Sequence, residues 1–202
     1  MGFALRKEIS VPETNTNFAT ILKGFGYKPV VTDQFEEVNF PFELMPHQIN
    51  GLLEGLRSPR FGLFNEARTG KTAIMQGLAT FFARFGGKSI FIMPPALFTQ
   101  FKQEFDLITN HGLDIYQFTH SPKKRDQMLL KWRNEEAPDV LIMSLVIFKK
   151  HSTFLANIGY KVLFWDECHM GCGKETNQAF KAVEDFADRT QGRLILSTGT
   201  PI

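Results

Sequence analysis

Between residues 61 and 197 short apolar runs alternate with stretches of helical period, and this alternation constrains the fold more than any other feature of the chain. The runs at 61–64, 89–93, 114–118, 140–143, 162–165 and 194–197 read as strands. Several are apolar throughout, as expected of strands covered on both faces. A helix over 71–85 places Ile74, Met75, Leu78, Phe81, Phe82 and Phe85 on one broad apolar face, and Gly86-Gly87 stops it. Leu97, Phe101 and Phe105 mark a second helix, and Ala179, Phe180, Val183, Phe186 and Ala187 a third. Strands alternating with helices predict an α/β fold with a mostly parallel central sheet and helices on both faces.

A chain of 202 residues accommodates one such domain and a short extension. The character changes near Val38, so residues 1–37, with the polar stretch Pro12-Glu13-Thr14-Asn15-Thr16-Asn17, read as an N-terminal appendage and 38–202 as the domain. Net charge is +2, which makes the placement of Lys and Arg, not their sum, the quantity that matters for a polyanionic partner. No apolar run approaches the ~20 residues that span a bilayer, and the first ten residues lack a signal-peptide core, so no membrane partner is expected. Cys168 and Cys172 provide no disulfide framework, and with His169 they do not match a zinc spacing. A reducing, cytoplasmic location follows as an expectation.

The segment Asn65-Glu66-Ala67-Arg68-Thr69-Gly70-Lys71-Thr72 follows one predicted strand and opens the first predicted helix. In that setting the exposed N–H groups of the helix start can cradle phosphate oxygens, and the helix dipole favours their charge. Gly70 allows close backbone approach, Lys71 can reach the outer phosphates of a nucleotide, and Thr72 can ligate Mg²⁺. The first glycine of the usual pattern is replaced by Asn65, and Arg68 is open between a turn role and a ligand contact. Farther along, Val162-Leu163-Phe164-Trp165-Asp166-Glu167-Cys168-His169 is an apolar run ending in two carboxylates. Ligands of parallel sheets bind beyond the carboxyl ends of the strands. Asp166 is thus expected to hold Mg²⁺, and Glu167 to orient or deprotonate the attacking water.

Asp166-Glu167-Cys168-His169 resembles motif II of the superfamily-two helicases, and the Asn-Glu-x-x-x-Gly-Lys-Thr loop is similar to that of Swi/Snf-type ATPases. Other segments fall into the same order. Leu44-Met45-Pro46-His47-Gln48 resembles the element whose glutamine reads adenine. Ile90-Phe91-Ile92-Met93-Pro94-Pro95-Ala96-Leu97 followed by Gln100-Phe101 resembles motif Ia, although the family usually has tryptophan at the last position. Asp139 to Ser144 resembles the strand whose end approaches the DNA backbone, and Leu196-Ser197-Thr198-Gly199-Thr200-Pro201-Ile202 resembles motif III.

The resemblance implies a first RecA-like motor domain that binds ATP and Mg²⁺. Its nucleotide site would comprise Gln48, Arg68, Thr69, Gly70, Lys71, Thr72 and His169, with Lys71, Asp166 and Glu167 catalytic. DNA would be met at Pro94, Pro95, Ser144 and Thr198; the Swi/Snf-like form favours DNA over RNA and leaves RNA open. It also implies a second RecA-like domain, in cis or trans, which supplies arginine fingers. The sequence stops after the motif III resemblance, so slow hydrolysis by this chain alone is expected, and a viral source fits its compact form. Lys123-Lys124-Arg125 with Lys131 and Arg133, and Lys149-Lys150-His151, are the densest cationic clusters, read either as backbone contacts or as solvated faces. A P-loop ATPase acting on something other than nucleic acid, and a non-catalytic module of the same fold, are the competing readings.

Overall fold

The computed structural model describes residues 17–24, 26, 28, 35–36, 38–40, 42–66, 68–109, 112–171 and 176–199. The polar stretch at 12–16, Pro41, Ala67, Cys172 and Thr200-Pro201-Ile202 lie outside the described residues. The elements run in chain order: α1 (Phe18–Gly24), α2 (Pro46–Arg57), β1 (Arg60–Leu63), α3 (Lys71–Arg84), β2 (Lys88–Ile92), α4 (Phe98–Ile108), β3 (Ile115–Gln117), α5 (Pro122–Asn134), β4 (Val140–Met143), α6 (Leu145–Asn157), β5 (Tyr160–Trp165), α7 (Thr176–Thr190) and β6 (Arg193–Ser197). The six strands form one sheet in the order β1-β6-β5-β2-β4-β3. Every pairing is parallel, as the apolar runs predict.

Alternate residues of each strand serve opposite faces of the sheet. Phe91, Ile142, Phe164 and Ile195 join a core with α1 to α4, while Ile90, Leu141, Leu163 and Leu194 join a second with α5 to α7. The α2–α3 contact is close because glycine lines it. A Cβ on Gly55 would stand 2.5 Å from Leu78, and one on Gly77 would stand 2.7 Å from Leu52.

Packing continues across the compositional boundary at 37/38. Phe18 and Leu22 of α1 are buried in the same core as α3, and Phe18 lies edge-on to Phe35 and Phe40. Asn17 bridges Asn39, and Phe18 N–H donates to Val38 O at 3.0 Å.

Among the described residues, no helix is long and apolar enough to cross a membrane. The predicted face of α3 is wider than expected. Ala73, Gln76, Ala79 and Thr80 are buried along with Ile74, Met75 and Leu78, whereas Phe85 is half-exposed beyond the helix end.

Candidate functional site

The loop after β1 is shaped by left-handed backbone at two residues. Arg68 has φ 65°, and Gly70, the residue before α3, has φ 78°. A side chain is strained in that region, and at Gly70 there is no room for one, because a Cβ would meet Gln48 Nε2 at 1.9 Å. Gln48 is buried in the first turn of α2. Its Nε2–H donates to Thr69 O at 3.1 Å, and its Oε1 accepts from Met45 N–H at 2.9 Å. His47 Nε2 stands 3.0 Å from the same Thr69 carbonyl, and Thr69 Oγ1 donates to Glu66 O at 2.8 Å. Gln48 thus braces the loop, leaving one N–H and one lone pair of its amide for other partners.

Lys71 begins α3 with its side chain buried. Its Nζ donates to Asn65 O at 3.0 Å and Glu66 O at 2.8 Å, so the ammonium is held inside the curl of the loop. The start of α3 has no side-chain cap and no acidic residue in its first turn. Its leading N–H groups and partial positive charge therefore face the loop without a capping side chain. Thr72 is half-buried one residue further. Beside it a cavity of about 220 Å³ is lined by Phe42, Gly70, Thr72, Ala73, Gln76, Glu104 and Ile108. Phe42 and Glu104 belong to no motif of the sequence and join the site through the fold. The 44% exposure of Phe42, a large aromatic ring, was the available signal only once burial was known.

Asp166 and Glu167 follow β5, at the same carboxyl end of the parallel strands as the loop after β1. Asp166 N–H donates to Ile92 O at 2.8 Å, which pins the carboxylate pair to the end of β2. Burial raises the Asp166 pKa above the ordinary carboxylate value, and Glu167 adds to that; Ser197 and Lys71 pull the other way. The Ser197 hydroxyl is fully buried and stands beside the Asp166 carboxylate, whose charged form it favours. A largely buried carboxylate at a strand end, with a hydroxyl beside it and its charge repelled by Glu167, fits a place where a cation and its water would sit. Glu167 has φ 50°, and its Oε2 lies 3.1 Å from His169 Nδ1. The same ring nitrogen stands 2.6 Å from Thr198 Oγ1, and Thr198 N–H donates to Leu63 O at 3.3 Å. His169 therefore connects the acidic pair to the end of β6, and β6 to the strand that launches the loop.

Pro94, Pro95 and Ser144 lie together with Asp166 and Glu167 around a cavity of about 240 Å³ at the ends of β2, β4 and β5. Thr198 is not among them; it is buried, with its hydroxyl on His169. Arg68 is exposed at the turn of the loop.

The raised Asp166 pKa has a testable consequence for stability. The folded chain keeps this proton to higher pH than the unfolded chain does. Stability therefore falls as pH rises from the ordinary carboxylate range through the raised value, and the full cost persists above it. Asp166→Asn is expected to raise Tm at pH 7, with the difference closing as pH falls toward about 4. Thermal unfolding scans across pH measure this, and a difference that ignores pH would refute the assignment.

A parallel sheet with a Gly-Lys-Thr loop after one edge strand and an acidic pair after a central strand defines the RecA-like class of P-loop domains. Within that class the model of the SNF2-related domain matches residues 4–202, and the chain belongs to this family. The family is one of ATPase-type, helicase-like domains, as the resemblance to Swi/Snf-like superfamily-two proteins implied.

Two solved structures show the same fold. The Sulfolobus solfataricus SWI2/SNF2 ATPase core in complex with dsDNA has a TM-score of 0.61 and 20% identity, over 80% of this chain and 33% of that one. The UvsW helicase from bacteriophage T4 has a TM-score of 0.60 and 20% identity, over 79% of this chain and 53% of that one. The chain thus spans about a third and about half of the two. No curated protein sequence matches it.

Proposed function

We propose that the chain is the ATP-binding domain of a DNA-dependent motor of helicase or translocase type. Such a domain couples hydrolysis to movement when paired with a second RecA-like domain in cis or trans. The domain comprises 38–202 together with the packed helix α1. The observation that carries this reading is the meeting, at the carboxyl end of the sheet, of the curled loop with its buried Lys71 and the Asp166-Glu167 pair, whose Asp166 feels the Lys71 charge.

The residues fit Mg²⁺-ATP. Lys71 exchanges the carbonyls of Asn65 and Glu66 for phosphate oxygens, and the uncapped start of α3 donates N–H groups to them. Thr72 and Asp166 hold the cation, which when bound neutralises phosphate charge. Glu167 orients and accepts a proton from the attacking water, and His169 positions it. Arg68 and Thr69 line the phosphate side. The uncommitted N–H of Gln48 addresses the base, whose face Phe42 can stack against. DNA as the polymer is supported by the dsDNA complex of the similar ATPase core. The cavity of Pro94, Pro95 and Ser144 beside the acidic pair supplies a place where polymer and nucleotide could influence each other, with Thr198 acting through His169.

The test is nucleotide binding and hydrolysis by the full chain with Mg²⁺, with and without single- and double-stranded DNA and RNA. Lys71→Ala is expected to weaken ATP binding by about 10–100-fold, the worth of charged hydrogen bonds to phosphate. Equal binding by the variant would remove the loop from the nucleotide site. Stimulation by RNA alone would reassign the polymer, and turnover indifferent to either would favour a different P-loop ATPase.

A further inference from the structure

The two cationic clusters of the sequence, 123–125 and 149–151, are far apart along the chain but converge at the β3–β4 margin of the sheet. Phe118 follows β3 and is held to β4 by its N–H donating to Ile142 O at 2.8 Å. The His151 ring of α6 lies edge-on to Phe118 at 5.9 Å, two residues before the His120-Ser121 entry into α5. Arg125 and Lys150 both disfavour the protonated form of His151, after burial, while Asp126 favours it. The groups of α5 and α6 therefore share one electrostatic neighbourhood.

Two features of that neighbourhood point to an anion. The start of α5 carries no side-chain cap on Ser121, no acidic residue in its first turn, and Lys123, Lys124 and Arg125 instead. Cations at a helix N-terminus oppose the macrodipole, so this turn is electrostatically frustrated as it stands. Arg125 is only 9% exposed, and its guanidinium turns back toward the helix start, where Nη1 donates to His120 O at 2.5 Å. Its Nε is buried without a partner, and among the described residues no carboxylate pairs with it. Buried guanidinium groups are ordinarily paired, because an isolated charge out of water is costly.

We infer that the N-terminal turn of α5, with Lys123, Lys124 and Arg125 and with Lys150 and His151 of α6 alongside, is a phosphate-binding site distinct from the nucleotide loop. The phosphate is either a free oxyanion or a phosphodiester of a nucleic acid strand. Only the second source rests on the DNA reading given above. An oxyanion here accepts from the uncapped N–H groups, neutralises Arg125 and relieves the clash between the lysines and the helix dipole.

The experiment titrates inorganic phosphate, then a 20-base-pair duplex (about two helical turns), into the isotopically labelled full chain. It follows the backbone amides of Lys123, Lys124 and Arg125 and, as a separate reporter of the nucleotide loop, those of Gly70, Lys71 and Thr72. Phosphate is expected to shift the α5 amides, and Lys123→Gln with Lys124→Gln to abolish that shift. These two lysines are exposed, so the double variant folds where Arg125→Gln could fail to. With the duplex, the double variant is expected to reduce the slope of log affinity against log salt by about 2. A shift with phosphate but an unchanged slope assigns the site to a free oxyanion. An unmoved α5 turn together with an unchanged slope overturns the proposal, whatever the loop amides report.

Discussion

Glu167→Gln lowers the single-turnover rate of ATP hydrolysis by about 10²–10⁴-fold, the usual worth of a positioned general base, and leaves nucleotide affinity close to wild type. The substitution keeps the volume of the side chain, and the amide can still meet His169 Nδ1 where the carboxylate Oε2 now stands at 3.1 Å. What it removes is the ability to accept a proton. Lys71, which holds the phosphates in this reading, is untouched, so binding and chemistry separate cleanly. Single-turnover conditions matter because an arginine finger supplied by another domain is worth about 10³–10⁵ in related phosphoryl transfers, and the rate without one is slow. Unchanged turnover in the variant would mean that the water is oriented by another group. A matching loss of affinity would mean that Glu167 serves to hold the nucleotide or its cation.

Phe91→Ala is expected to destabilise the chain by about 3–5 kcal/mol, a large fraction of the ~5–15 kcal/mol that holds a domain together. Phe91 lies on β2, between β5 and β4, and is fully buried. Its ring stacks on Phe164 of β5 at 4.3 Å with an interplanar angle of 5°, and also meets Phe101 at 4.7 Å and Phe105 at 5.9 Å. Removing it opens a cavity between the sheet and α4 and breaks three ring contacts at once. At about 2–4 °C per kcal/mol for a chain of this size, Tm falls by roughly 10 °C. Chemical denaturation measures the free energy directly. A loss below about 1.5 kcal/mol, the scale of a volume-conserving core swap, would show that this face of the sheet repacks readily.

The strands were legible because each is a dense apolar run between breakers. The run at 140–143 coincides with β4, and 162–165 falls inside Tyr160–Trp165. Helices α3, α4 and α7 were legible by periodicity, whereas α2, α5 and α6 were not. In α5 only Arg125, Leu129 and Trp132 are buried, a stripe too narrow to register in a segment otherwise rich in Lys, Arg, Asp and Gln. In α6 the apolar start Leu145-Val146-Ile147-Phe148 follows one residue after the run of β4, and only the Ser144 cap, accepting from Ile147 N–H at 3.4 Å, separates the two. The segment before residue 38 reads as polar because the residues of α1 that enter the core, Phe18, Ala19, Ile21 and Leu22, are few and closely spaced.

By itself the sequence determined the class of fold, the loop at a strand-to-helix junction and the acidic pair at a strand end. These are local facts, written in runs, breakers and adjacent residues. Tertiary structure alone decided the order β1-β6-β5-β2-β4-β3, which carries Asp166 and Ser197 to the side of the Lys71 loop. It also decided that Gln48 braces Thr69, that His169 joins Glu167 to Thr198, and that the cations of α5 and α6 meet. Each of these pairings depends on which surfaces exclude water together. That depends on the packing of the whole chain, and no local pattern encodes it.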